Sequence, residues 1–188
     1  MHPDLYQKLQ SAPGKVILRL NPIFEKLPLN ILRYDDPFLP FSKAVIPATQ
    51  DIVAGYLFDF ASYLAMGGAG AVALERSIAL VPSDCMTLLH GPFLGAAYSL
   101  MAGKTGFDVD MISVSTTQDQ AHYSTQPPYS ACLITTQSVL SDTNCYYQTV
   151  EQVIYYRENR WSVTTDAVLY ASKMDNFVDK LREGILAL

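Results

Sequence analysis

A chain of 188 residues is within the usual size of one domain and can bury a sizeable core. Its 49% apolar and 16% charged residues give a globular composition leaning hydrophobic, and no uninterrupted run of eighteen apolar residues suggests a membrane span. With 13 basic against 18 acidic side chains the net charge is −5, which gives no broad attraction to nucleic acid or anionic membrane and disfavours nucleic acid as a partner.

Taken in chain order, Lys15-Val16-Ile17-Leu18-Arg19-Leu20 closed by Asn21-Pro22 predicts a buried strand and turn. Residues 42–51 have mixed helical spacing interrupted by Pro47, and Asp51 to Phe60 fits strand or helix equally. Ala71, Leu74, Ile78 and Val81 recur at three and four residues, predicting a helix that ends before Pro82. Met86 to Leu89 follows as a strand, Phe93 to Ala102 as a helix, and Met111–Val114 and Ala131–Thr136 as further strands. The polar stretch 115–130, with Pro127 and Pro128, is expected to be a long surface loop. Ser172 with Asp175 resembles a capping box for a last helix whose Phe177, Leu181 and Ile185 share one face. Repeated strand-then-helix order predicts an α/β fold with a largely parallel sheet, in a single domain over 1–188.

Several constellations invite chemistry and lose to blander readings. Gly67-Gly68-Ala69-Gly70 lacks the preceding strand and spacing of a nucleotide loop and is expected to turn the chain between two helices. His2, His90 and His122 lack metal-ligand spacing and no cysteine pair accompanies them, so neither metal nor cofactor is expected. Asp35-Asp36 before Pro37 suits a turn or cap. Met1-His2-Pro3-Asp4 lacks the basic and apolar regions of a secretory signal, so the form in hand is expected to be non-targeted or already processed. Cys85, Cys132 and Cys145 are odd in number and show no CxxC spacing, which predicts reduced, buried thiols in an intracellular, reducing compartment.

The stretch Ala54–Gly95, AGYLFDFASYLAMGGAGAVALERSIALVPSDCMTLLHGPFLG, carries a family resemblance. Tyr56-Leu57-Phe58-Asp59 stands where the orotidine 5′-phosphate decarboxylase family, in its bacterial branch, has Tyr-Lys-Pro-Asn. Ala73-Leu74-Glu75-Arg76-Ser77-Ile78 matches the family's Ala-Leu-Glu-Arg-Thr-Ile helix, and Leu88, His90 and Phe93 take the places of its Asp, Lys and Asp. Leu18-Arg19-Leu20-Asn21-Pro22 resembles the first strand and turn, with Asn21 for the ribose-contacting Asp. Asp36-Pro37-Phe38 resembles the start of the next helix, and Asp110–Val114 and Cys132–Val139 resemble later strands. In Val163–Ser172, Asp166 stands where the resemblance implies a phosphate-gripping Arg, and would repel a phosphate.

The resemblance implies a TIM-barrel-like α/β fold, and the length implies an incomplete or truncated barrel, since a full one usually needs about 250 residues. In that family alternating lysines and aspartates stress the departing carboxylate, so their loss here implies that no residue carries the reaction. The leading expectation is a pseudoenzyme serving as a structural or interaction subunit, with other protein subunits as partners and a homodimer as a further possibility. Its vestigial pocket comprises Asn21, Leu57, Asp59, Leu88, His90, Phe93 and Asp166. The alternative is a small-molecule-binding protein or an enzyme of altered chemistry built on His90, Asp59 and Asp166. Residues 144–161 concentrate Tyr146, Tyr147, Tyr155, Tyr156, Arg157, Arg160 and Trp161, a composition suited to an interface. The competing expectation is an edge hairpin whose aromatics cover the opening left by lost strands.

Overall fold

The computed structural model describes residues 3–91, 99–103, 105–124, 130–136 and 145–188. Its strands are β1 (Val16–Leu20), β2 (Gly55–Asp59), β3 (Met86–His90), β4 (Met111–Val114), β5 (Ser130–Thr135), β6 (Cys145–Gln148), β7 (Val153–Tyr156) and β8 (Asn159–Val163). The helices are α1 (Pro3–Ser11), α2 (Phe38–Thr49), α3 (Phe60–Leu64), α4 (Gly67–Ile78), α5 (Ser99–Ala102), α6 (Thr117–Ser124), α7 (Asp166–Leu169) and α8 (Phe177–Leu186).

The eight strands close into a barrel in the order β1-β2-β3-β4-β5-β6-β7-β8. Strands β1 to β6 pair in parallel, whereas β7 is antiparallel to both β6 and β8, and β8 returns parallel to β1. The TIM-barrel-like α/β fold is as expected, and the barrel is closed rather than incomplete. The shortening falls on the helices instead. Because β7 reverses direction, two tight turns take the place of two strand-helix crossovers, which saves tens of residues without losing a strand.

Side chains alternate between two cores. One lies between strands and helices and holds Leu18, Leu20, Phe58 and Leu89 with Phe41 and Val45 of α2, Leu74 of α4 and Phe177, Leu181 and Ile185 of α8. The other fills the lumen with Ile17, Leu57, Met86, Leu88, Met111, Cys132, Cys145, Tyr147, Ile154, Tyr156, Trp161 and Val163. Leu5 and Leu9 of α1 join this second core and plug the end at which the parallel strands begin.

Two local expectations are corrected. Residues 117–124 form α6 rather than loop, started by a reciprocal cap in which the Asp119 N–H donates to Thr116 Oγ1 (3.0 Å) and the Thr116 hydroxyl donates to Asp119 Oδ2 (2.7 Å). Ser172 forms a local turn, accepting from the Met174 N–H (3.1 Å) and donating to Asn176 Oδ1 (2.9 Å), and α8 begins only at Phe177. The glycine run opens α4 after a turn that needs Gly67 at φ +60°, and a Cβ on Gly70 would fall 1.8 Å from the Tyr63 carbonyl oxygen. Asp36 accepts from the Phe38 N–H at 3.2 Å, as a turn-and-cap residue does.

Candidate functional site

Parallel strands deliver the same end of every inward-facing row to one mouth of the barrel, where sites of this architecture lie. On β2 the inward positions are Leu57 and then Asp59, and on β3 Leu88 and then His90. Leu57 and Leu88 are register partners, both 0% exposed, and form an apolar floor. One step nearer the mouth, Asp59 and His90 are partners in turn, with Ser113 of β4 beside His90.

Arg19, on β1, is the charged residue that this floor has to accommodate. Its Nη2 donates to Asp59 Oδ2 at 2.7 Å, while Nε is buried and meets no protein acceptor. Burial works against the guanidinium charge, but the hydrogen bond and charge of Asp59 outweigh it, and the Arg19 pKa is raised. The other Asp59 oxygen accepts from the Ser62 N–H (3.1 Å) and the Ser62 hydroxyl (3.0 Å), capping α3. Asp59 is thus both a counter-ion and a helix cap.

His90 is 8% exposed, with Nδ1 3.0 Å from Ser113 Oγ, and that oxygen also accepts the Gly91 N–H at 2.9 Å. Burial lowers the His90 pKa to about 4 against the opposing pull of Asp59, with Arg19 adding to the fall, so the ring is neutral near pH 7. The Tyr147 ring stands edge-on to it, with centroids 5.5 Å apart, and donates its hydroxyl to Gln152 Oε1 at 2.6 Å. Burial pushes the Tyr147 pKa up to about 12.

Beside this group Asp166, at the start of α7, accepts from Asn21 Nδ2 (2.8 Å) and Lys26 Nζ (2.7 Å). Partial burial pushes the Asp166 pKa up, the two donors outweigh it, and the net shift is downward. The Tyr170 hydroxyl, which donates to the Asn21 carbonyl oxygen (2.6 Å) and accepts the Ile23 N–H (2.9 Å), fixes the turn that carries Asn21.

The structure therefore gathers Asn21, Leu57, Asp59, Leu88, His90 and Asp166 around the same end of the barrel, but not as free groups. Phe93 lies outside the described residues. Arg19, Ser113 and Lys26 belong to the arrangement and were not singled out by the motifs. A lone Arg inside the apolar run of β1 is the signal that could have found the first, since a half-buried cation requires a counter-ion. Among the described residues no cluster of three metal-ligating side chains occurs. The free cysteines Cys85, Cys132 and Cys145 are buried, and no described helix is long and apolar enough to cross a membrane.

The aromatic segment splits by strand parity. Tyr147, Tyr156 and Trp161 are about 1% exposed inside the lumen, which corrects their expected place at an interface. Tyr146 and Tyr155 face outward and stack at 4.7 Å, Arg160 is exposed on the same side, and Arg157 lies over the Tyr6 ring of α1 at 4.4 Å.

No protein-family profile matches the chain. An orotidine 5′-phosphate decarboxylase of Herpetosiphon aurantiacus is 39% identical over 87 residues, covering 44% of this chain and 33% of the relative. That of Thermomicrobium roseum is 31% identical over 110 residues, covering 55% and 39%. Among solved structures, a Toxoplasma gondii protein assigned as an orotidine-monophosphate decarboxylase superposes with a TM-score of 0.60 at 22% identity, over 75% of this chain and 51% of that one. A UMP synthase of Leishmania donovani gives 0.58 at 17% identity, over 84% and 33%. At such identities the structural likeness speaks for the fold. The chain spans between a third and two fifths of the length of these two curated relatives.

Proposed function

We propose that this chain, a homologue of the orotidine 5′-phosphate decarboxylases, is a catalytically inactive one, a single barrel domain serving as a structural or interaction subunit of a larger protein assembly. One observation carries the reading: each carboxylate described at the barrel mouth is spent on an internal partner above a leucine floor. Asp59 holds Arg19 and caps α3, while Asp166 holds Asn21 and Lys26. Transition-state electrostatics require charges aimed at the substrate in a dry site, and charges already paired with each other offer little to a substrate. Arg19 and Lys26, the cations described there, are likewise paired, which leaves weak attraction for a phosphate.

The alternative, altered chemistry on His90, Asp59 and Asp166, gains some support from the His90–Ser113 hydrogen bond, which is the geometry of a base beside a hydroxyl. Against it, Ser113 is 0% exposed and both carboxylates are engaged. A cavity of about 450 Å³ lies at the opposite end of β3 and β4, lined by Lys8, Glu75, Phe107 and Asp110, away from these groups.

Gentle isolation of the native protein followed by native mass spectrometry tests the proposal. A defined complex with other chains supports it. A free monomer or a homodimer overturns it and turns attention to ligands of His90.

A further inference from the structure

Two of the three cysteines meet inside the barrel. Strand β5 pairs with β6 in parallel through Leu133 and Tyr146, so the residues one step earlier, Cys132 and Cys145, stand opposite each other. Leu133 and Tyr146 belong to the outer core, whereas Cys132 and Cys145 both point into the lumen, where they are 0% and 4% exposed. Neighbouring strands run about 4.8 Å apart, inside the roughly 4.4–6.8 Å that separates the Cα atoms of a disulfide. The two thiols already interact: burial first, and then the hydrogen bond and charge of Cys132, push the Cys145 thiol well above its ordinary range. The same seam is braced by Gln120 of α6, whose Nε2 donates to the Ala131 carbonyl oxygen at 3.1 Å and to that of Cys145 at 2.7 Å. Cys85, just before β3, is the contrasting case, a buried thiol that packs by itself and turns toward the Gln50 carbonyl oxygen at 3.9 Å.

We propose that Cys132 and Cys145 are a peroxide-sensitive pair that closes reversibly into a disulfide and staples β5 to β6, the seam where the parallel strands meet the meander. Hydrogen peroxide is the oxidant this site admits, because it is small and uncharged, whereas both sulfurs lie in a filled apolar lumen that a peptide disulfide cannot enter. One thiol reduces the peroxide, takes one of its oxygens to become a sulfenic acid, and releases water. The sulfur of the other then attacks the sulfenic sulfur, the S–S bond forms and a second water leaves. Two thiols and one peroxide thus become one disulfide and two waters. Only a thiolate attacks, and burial disfavours it, so the pair responds to sustained rather than brief oxidation. A small thiol reverses the step by exchange through a mixed disulfide.

The test exposes the full chain, purified reduced and kept folded, to hydrogen peroxide, alkylates the remaining thiols with iodoacetamide in denaturant, and maps the digest by mass. The expected product is a Cys132–Cys145 link with Cys85 alkylated. The melting midpoint of the oxidised chain should rise by about 5 °C, as closing a short loop does, and return on treatment with dithiothreitol. Cys145→Ala should abolish both the link and the shift. The oxidised and reduced forms of the unaltered chain decide the matter even where that variant fails to fold. Three alkylated cysteines after peroxide, sulfinic acid at Cys132 or Cys145 without a link, a link to Cys85 or between two chains, or a link that forms only in denaturant would each overturn the pairing. A formed bond with an unmoved midpoint would overturn the staple.

Discussion

Strands β1 to β4 and strands β6 to β8 build the same wall in different ways. The first set is parallel, linked by helical segments and buried on both faces, as in β2 where all five residues are buried. The second is a meander of tight turns whose outward row is less fully hidden: in β8 Trp161 and Val163 are buried while Arg160 is exposed, and in β6 and β7 Tyr146 and Tyr155 are half-buried although Gln148 and Val153 are buried. The difference shows that closing a barrel depends on the inward-facing rows. A chain can shed crossovers and stay closed provided the lumen is refilled. Tyr147, Tyr156 and Trp161 do the refilling here.

The largest expected effect tests that refilling. Trp161→Ala should destabilise the protein by about 3–5 kcal/mol, as removal of a large buried aromatic does, read as a shift of the urea midpoint. A loss under ~1 kcal/mol would mean that the meander is not integral to the core. Next comes the pair that joins β1 to β2. Arg19→Met leaves the Asp59 carboxylate without its cation and should cost about 2–3 kcal/mol, below the value for a fully dry pair because the Arg19 side chain is 26% exposed. Adding Asp59→Asn should restore part of that loss, and a double-mutant cycle showing no coupling would contradict the assignment.

The parallel half should also carry a pH signature on the acid side of neutrality. His90 titrates near 4 when folded and near its ordinary 6.5 when unfolded. Between these values the unfolded chain binds more protons, so stability falls as the pH is lowered through that window. Between pH 7 and pH 5 the loss from this residue is about 2 kcal/mol. Denaturant midpoints at the two pH values should converge in His90→Gln, and an unchanged gap would clear His90 of the effect. The smallest expected change is on the outer face, where Arg160→Ala should stay within about 0.5 kcal/mol in the same melts, in contrast to Trp161 one position away.

Much of the parallel half is legible in the sequence, because its strands are short apolar runs and its helices have regular apolar stripes. Lys15–Leu20, the helix through Leu74 and Ile78 and the face of Phe177, Leu181 and Ile185 all emerge from periodicity. The closed meander does not, since Tyr146-Tyr147 and Tyr155-Tyr156 place like residues on opposite faces, and only the pairing register separates lumen from surface. Helix α6 escapes notice because it carries little apolar stripe and is held by Gln120, whose Nε2 donates to the Ala131 and Cys145 carbonyls. Its Thr116-x-x-Asp119 cap was nevertheless readable. At the mouth, the motif substitutions at Leu57, Asp59, Leu88 and His90 locate the site, but the pairing that neutralises it depends on Arg19 and Lys26, which lie in another stretch of the chain.

The most direct test of the central claim, that the fold persists while its pocket is occupied by the protein's own side chains, is calorimetric titration of the intact protein with uridine 5′-phosphate. No saturable heat at millimolar ligand is the expected result. Saturable binding in the micromolar range, abolished by Arg19→Met in a variant that still folds, would contradict it and show that the mouth of the barrel remains a working site.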